Sequence, residues 1–139
     1  ASNGCATERV LAGLEDIRSE LDPARHGLFV HLSLDGLGEV HDRVRGKAGA
    51  FTGLERTVNE VIALKKKNPG RKIELGFNCM IQPQNISQLE QIKKFAADRS
   101  ASLTFNIIAI TDQYYGNCQR AAELAHKARL LAATLERKP

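Results

Sequence analysis

Two periods of apolar residues take turns along this chain, and that exchange limits its fold more than any other feature. Val10, Leu14, Ile17 and Leu21 recur at helical spacing over Thr7–Leu21, and Asp22-Pro23 ends that helix because the residue before proline disfavours helical dihedrals. Leu28–Leu34 then switches to strict alternation. A second helix is expected from about Thr52, where Thr52 and Glu55 match a capping box, with Leu54, Val58, Val61 and Ile62 facing inward and Asn68-Pro69-Gly70 closing it. Lys72–Gln82 alternates again, with Ile73, Leu75, Phe77, Cys79 and Ile81 set against Glu74, Gly76, Asn78, Met80 and Gln82. Ser87 and Glu90 form a second capping-box pattern before a helix carrying Leu89, Ile92, Phe95 and Ala96. Leu103–Ile110 is apolar almost throughout and reads as a strand covered on both faces. A last helix is expected from Asn117 to Glu136, striped by Ala121, Leu124, Ala128, Leu131 and Leu135.

The order α-β-α-β-α-β-α predicts an α/β fold of parallel βα repeats joined by right-handed crossovers. Three strands cannot close a barrel, since an eight-unit barrel takes about 250 residues. The repeats therefore form either a small open sheet or a slice of a barrel.

The 139 residues are the size of one domain. Hydrophobic residues at 42% and charged residues at 26% place the chain among globular proteins and away from disordered ones. No apolar run approaches the roughly 20 residues that a membrane-spanning helix needs, and no basic-then-apolar leader is visible, so a cytoplasmic protein is expected. The excess of 20 Lys+Arg over 16 Asp+Glu is mild. Its densest run, Lys65-Lys66-Lys67, lies at a predicted helix end, where cations complement the helix dipole. Without interleaved aromatic residues it does not make a nucleic-acid surface. Cys5, Cys79 and Cys118 are too far apart for a close-spaced metal motif, and their odd number argues against a disulfide framework. The chain opens on Ala1 and almost at once on Asn3-Gly4, a turn signal, as a segment cut from a larger protein would.

Parallel α/β folds gather ligands at the C-terminal ends of their strands. That rule marks Ser33 and Asp35, then Gln82 and Asn85, then Thr111 and Asp112. The first strand is informative in itself. Leu28, Val30, Leu32 and Leu34 make one greasy face, while Phe29, His31, Ser33 and Asp35 make the other. A face bearing His, Ser and Asp suits a site better than simple packing.

The residues that follow sharpen this. Ser33-Leu34-Asp35-Gly36, then His41-Asp42-Arg43-Val44-Arg45, then Gly49, resemble the fourth strand and following loop of radical S-adenosylmethionine (radical SAM) enzymes, in particular the sulfatase-maturase and peptide-modifying group. Asn3-Gly4, Ile73–Ile81 and Phe105–Ile110 are more loosely similar to that family's third, fifth and sixth strands. The resemblance covers about residues 1 to 110. It implies a fragment of a partial (βα)6 barrel, with residues 1–139 forming the C-terminal half of the domain.

The resemblance also implies roles. Ser33 matches the serine that contacts the ribose or methionyl part of S-adenosylmethionine, and Arg45 matches the arginine that reaches its carboxylate. The chemistry is apt, because guanidinium grips a carboxylate in two-pronged fashion and a short hydroxyl suits a sugar. Asp35, Asn78 and Ile108 are expected to line the cofactor site, with Asp35 and the His41-Asp42 pair also suited to fixing the loop through nearby backbone amides. His31 and Met80 are weaker candidates for substrate contact, His31 having the bland alternative of an interior histidine that packs and bonds locally. The departure from the family is large. The CxxxCxxC motif that holds its [4Fe-4S] cluster is absent, as is the glycine-rich segment that holds the amino group of S-adenosylmethionine. Hence no metal ligands and no catalytic residue are expected here. The longer protein is expected to cleave S-adenosylmethionine reductively, generating a 5′-deoxyadenosyl radical, and this piece to be inactive alone. Its substrate has no signature. A non-catalytic α/β module binding an anionic small molecule or a protein partner is the alternative. A half-barrel also leaves strand edges and apolar surface uncovered, so self-association is expected.

Overall fold

The computed structural model describes residues 2–107, and the expectations for Ile108, Thr111, Asp112, Cys118 and the last helix lie outside them. The elements run α1 (Thr7–Glu20), β1 (Leu28–Ser33), α2 (Glu39–Arg45), α3 (Ala50–Lys67), β2 (Ile73–Ile81), α4 (Leu89–Ala97) and β3 (Ser102–Ile107), with a short 3₁₀ turn at Ile86–Gln88. The strands form one parallel sheet in the order β1-β2-β3. Each pair follows a helical crossover, as the alternation of periods requires. Ser2 adds a rung outside β1: its amide donates to the His31 carbonyl at 2.9 Å, and its carbonyl accepts from the Ser33 amide at 2.9 Å.

The register places like with like. Val30 faces Leu75 and Leu32 faces Phe77, while His31 faces Gly76 and Ser33 faces Asn78. Next along, Asn78 faces Thr104 and Cys79 faces Phe105. One side of the sheet thus collects Val30, Leu32, Leu75, Phe77, Cys79 and Ile81, which form a single buried cluster with Leu14 of α1, Leu54, Val58 and Val61 of α3, and Leu89, Ile92 and Phe95 of α4. The described helices therefore lie on one side. Phe77, fully buried, packs edge-on against Phe95 with centroids 5.7 Å apart, and Phe51 meets Phe95 at 5.8 Å. A side chain of this kind is worth about 3–5 kcal/mol against alanine.

Four expectations are corrected. The loop expected after the first strand contains α2, which ends where Gly46 turns left-handed at φ +63° and donates to the Arg43 and Asp42 carbonyls. α3 begins at Ala50 and does not use Thr52 as its cap. Its first amides are met instead by Asp42, whose carboxylate accepts from Gly49 N–H and Phe51 N–H, both at 2.7 Å. Ser87 does not cap α4, because the chain enters that helix through the 3₁₀ turn. β3 is not covered on both faces: Ser102, Thr104 and Asn106 are exposed, whereas Leu103 and Phe105 are half-buried against the core.

Candidate functional site

The face of the sheet opposite the described helices carries the polar rows. On it His31, Gly76 and Ser102 lie side by side, and one layer further toward the strand ends Ser33, Asn78 and Thr104 do the same. His31 lies down across β2. The Asn78 side-chain N–H donates to its Nδ1 at 3.2 Å, and the Phe29 ring sits 4.4 Å away, centroid to centroid. Glycine at 76 is what permits this. A Cβ there would come within 2.8 Å of His31 Nε2 and 2.6 Å of Ser102 Oγ, closer than real Cβ contacts. Ser33 and Asn78 are half-buried and Met80 is more exposed, all three on this open face.

Where β1 leaves the sheet, Asp35 takes over the work of the ladder. Leu34 N–H still bonds to the Asn78 carbonyl at 2.8 Å, but the next donor along β2, Met80 N–H, is accepted by Asp35 Oδ1 at 2.7 Å. The other carboxylate oxygen pairs with Arg45 of α2. The backbone of Asp35 is engaged as well, its N–H donating to His41 Nδ1 at 3.1 Å and its carbonyl accepting from Asn85 Nδ2 at 3.0 Å. Asn85, fully buried, also donates to the Met80 carbonyl and accepts from Gln82 N–H, each at 2.8 Å. Gln88 Oε1 accepts from Leu37 N–H at 2.8 Å, tying the next turn of chain to the start of α4. Gly36 sits inside this knot at φ +151°, where a Cβ would come within 2.7 Å of Val40 and 2.9 Å of the His41 amide. That is why the residue after Asp35 is glycine.

The electrostatics follow from burial. His41 is fully buried, and because its Nδ1 accepts a hydrogen bond the proton lies on Nε2, which has no partner among the described residues. Burial, with the Arg45 charge adding to it, pushes its pKa below the ordinary histidine value, and the Asp35 and Asp42 carboxylates oppose this only in part. Cys79 beneath the knot is pushed up to about 12, first by burial and then by the Asp35 charge, so it remains a thiol. Arg45 keeps 28% of its side chain accessible, while its Nε is buried and unpartnered among the described residues. Only one of its five donors is shown on Asp35, which leaves donors for an incoming acid group.

Ser33, Asp35, Asn78 and Arg45 are thus brought to one end of the sheet. His31 and Met80 share its open face, and Ile108 lies outside the described residues. Sequence reasoning passed over Ser102, Thr104 and Gln88 and did not rank Asn85 among the site residues. The parity of β3 carries the signal for Ser102 and Thr104 once the strand is started at Ser102. The roles of Asn85 and Gln88 depend on loop closure and have no local signature. Among the described residues no three His, Cys, Asp or Glu side chains are grouped to hold a metal ion, and no helix is long and apolar enough to cross a membrane. No protein-family model matches the chain, and no curated protein matches it significantly.

Proposed function

We propose that this chain forms one wall of the S-adenosylmethionine cradle in a radical SAM domain, as a slice of its partial (βα)6 barrel. The observation that carries this reading is the meeting of a strand end with the helix that follows it. Arg45 of α2 is held at Asp35, two residues beyond Ser33, at the C-terminal end of a strand whose open face is polar. In this reading Ser33 and Asn78 hydrogen-bond the sugar or methionyl part of the ligand, Arg45 takes its carboxylate, and Asp35 positions Arg45. The described helices on one side of the sheet, with strands in sequential order, support the barrel geometry, since barrels wind in one direction. An iron–sulfur cluster does not fit the thiols described here, because Cys79 is buried and held protonated while Cys5 stands apart near the start of the chain. The bound cofactor and cluster supply the radical chemistry, and this chain's residues bind and orient.

Two measurements test the reading. The coding sequence upstream should contain a CxxxCxxC motif; its absence would remove the radical assignment. Titrating the full chain with S-adenosylmethionine should shift the amide resonances of Ser33, Asn78 and Met80 and the Arg45 side chain. Arg45→Lys should weaken the effect, because an ammonium cannot reproduce the two-pronged grip. Binding lost in that variant with no such motif upstream would favour a non-catalytic module for small anions.

A further inference from the structure

The turn between the Ser2 rung and α1 holds the pair Asn3-Gly4, which the proposed cofactor site does not use. Asparagine before glycine is the pair in which the main chain most readily attacks the side chain, because glycine carries no Cβ to hinder the approach of its nitrogen. Asn3 is exposed to solvent, and Gly4 beside it is buried.

Two hydrogen bonds arrange this pair for reaction. Cys5 N–H donates to Asn3 Oδ1 at 3.2 Å, an Asx turn. The loop which that bond closes contains Cγ, Cβ, Cα and the main-chain carbonyl carbon of Asn3 together with the Gly4 nitrogen. Every atom of a succinimide ring is thus already folded back on itself. The same N–H meets the negative charge that develops on Oδ1 when Cγ is attacked. Gly4 N–H in turn donates to Ser2 Oγ at 3.2 Å, and a hydroxyl both accepts a proton and hands one on to solvent.

We propose that Asn3 is a deamidation site promoted by this fold. The Gly4 nitrogen attacks Asn3 Cγ, the Cγ–Nδ2 bond breaks, and Nδ2 leaves as ammonia with the proton that Gly4 gives up. Solvent water then opens the succinimide at the main-chain carbonyl carbon. Gly4 is left joined through Asn3 Cγ and the old carbonyl becomes a free carboxylate, an isoaspartyl link that is longer by a methylene. The reaction needs only Ser2–Cys5 and water, so it proceeds whether or not S-adenosylmethionine binds elsewhere.

The added length is not absorbed at Gly4. Its carbonyl accepts from Thr57 Oγ1 at 2.6 Å, and a Cβ on it would stand 2.6 Å from Leu54 Cδ1, so this residue is pressed against α3. The strain falls on Ser2, whose rung consists of two bonds of 2.9 Å to the His31 carbonyl and the Ser33 amide. Deamidation therefore detaches the rung and lengthens the stretch of β1 edge that the described residues leave unpaired.

The test holds the full chain at mildly alkaline pH and follows the tryptic peptide ending at Arg9 by mass spectrometry. Conversion should add one mass unit, give isoaspartate as the main product, and run at least as fast as in the same chain unfolded in urea. Ser2→Ala keeps the backbone bonds of the rung and should slow conversion about fivefold, the scale of one hydrogen bond. Asn3→Gln, whose longer side chain closes the ring far less readily, should not convert. After conversion the Ser33 amide should exchange with solvent faster than before. Slower conversion in the folded chain than in urea, an unchanged rate in Ser2→Ala, or a Ser33 amide protected equally before and after would overturn the proposal.

Discussion

Asp35 ties the end of β1 to three other parts of the molecule, β2, α2 and the loop at Asn85, through its side chain and its backbone. Its carboxylate holds Met80 N–H and Arg45, and its backbone holds His41 and Asn85. Only 4% of the side chain is accessible, so Arg45 left without it would lose a partner in a poorly solvated place. Asp35→Ala is expected to destabilise the fold by about 3 kcal/mol in urea unfolding, the scale of a buried pair broken on one side. Asp35→Asn retains an oxygen for Met80 N–H and should lose less. Equal losses would mean that the Met80 bond contributes little. His41 gives the same region a pH dependence. Its folded pKa lies below its unfolded value of about 6.5, so the unfolded chain binds the proton more readily. The stability this contributes is complete above the unfolded pKa and is lost as pH falls from there toward the folded pKa. Unfolding followed at pH 7.5 and 5.5 should show lower stability at the acid point, and His41→Gln should flatten that difference.

At the scale of elements, the start of α3 is set by a residue of another helix. Asp42 lies within α2, yet its carboxylate meets the Gly49 and Phe51 amides, and those two bonds hold its pKa below the ordinary carboxylate range. Asp42→Ala should lower the melting temperature, and Asp42→Asn, with one amide oxygen to offer, should lower it less. Because the folded pKa is depressed, the contribution is present above the unfolded pKa and disappears as pH falls through the folded one. The melting-temperature gap between wild type and Asp42→Ala should therefore close in strong acid. A gap unchanged there would argue against the cap. This element also shows why some of the structure was legible in the sequence and some was not. The faces of β1 and β2 follow from a period of two, so the open-face positions of His31, Ser33, Asn78 and Met80 could be read from parity alone. α2 could not: in seven residues it offers only Val40 and Val44 as apolar markers. The Thr52–Glu55 pattern proposed a start that the reach of Asp42 overrides two residues earlier. In β3 the apolar run Ile107–Ile110 masked the alternation that begins at Ser102. Pairings that depend on loops closing in space, Asn85 with Asp35 and Gln88 with Leu37, leave no periodic trace.

At the scale of the sheet, the described helices cover one side and, among the described residues, one face and the outer edge of β1 are left without a covering element. Beyond the Ser2 rung, the outer edge of β1 borders a groove of about 530 Å³ between that strand and α1. Val10, Leu14, Leu28 and Phe29 line it, and Ile17 and Phe29 are each half-exposed. Backbone groups on such an edge are a template for another strand, and proteins commonly guard these edges with lysine or proline. Neither type occurs in Leu28–Ser33. The chain is therefore expected to associate with a second copy through this edge, each β1 lending hydrogen bonds while Phe29 leaves water. Light scattering at high concentration should give a mass above the 15.3 kDa of the monomer. Phe29→Lys removes apolar surface and adds a guarding charge at a position already facing solvent, so it should return the mass to that of the monomer without loss of helical circular dichroism. A wild-type chain that stays monomeric at high concentration would show that the Ser2 rung is enough to blunt the edge.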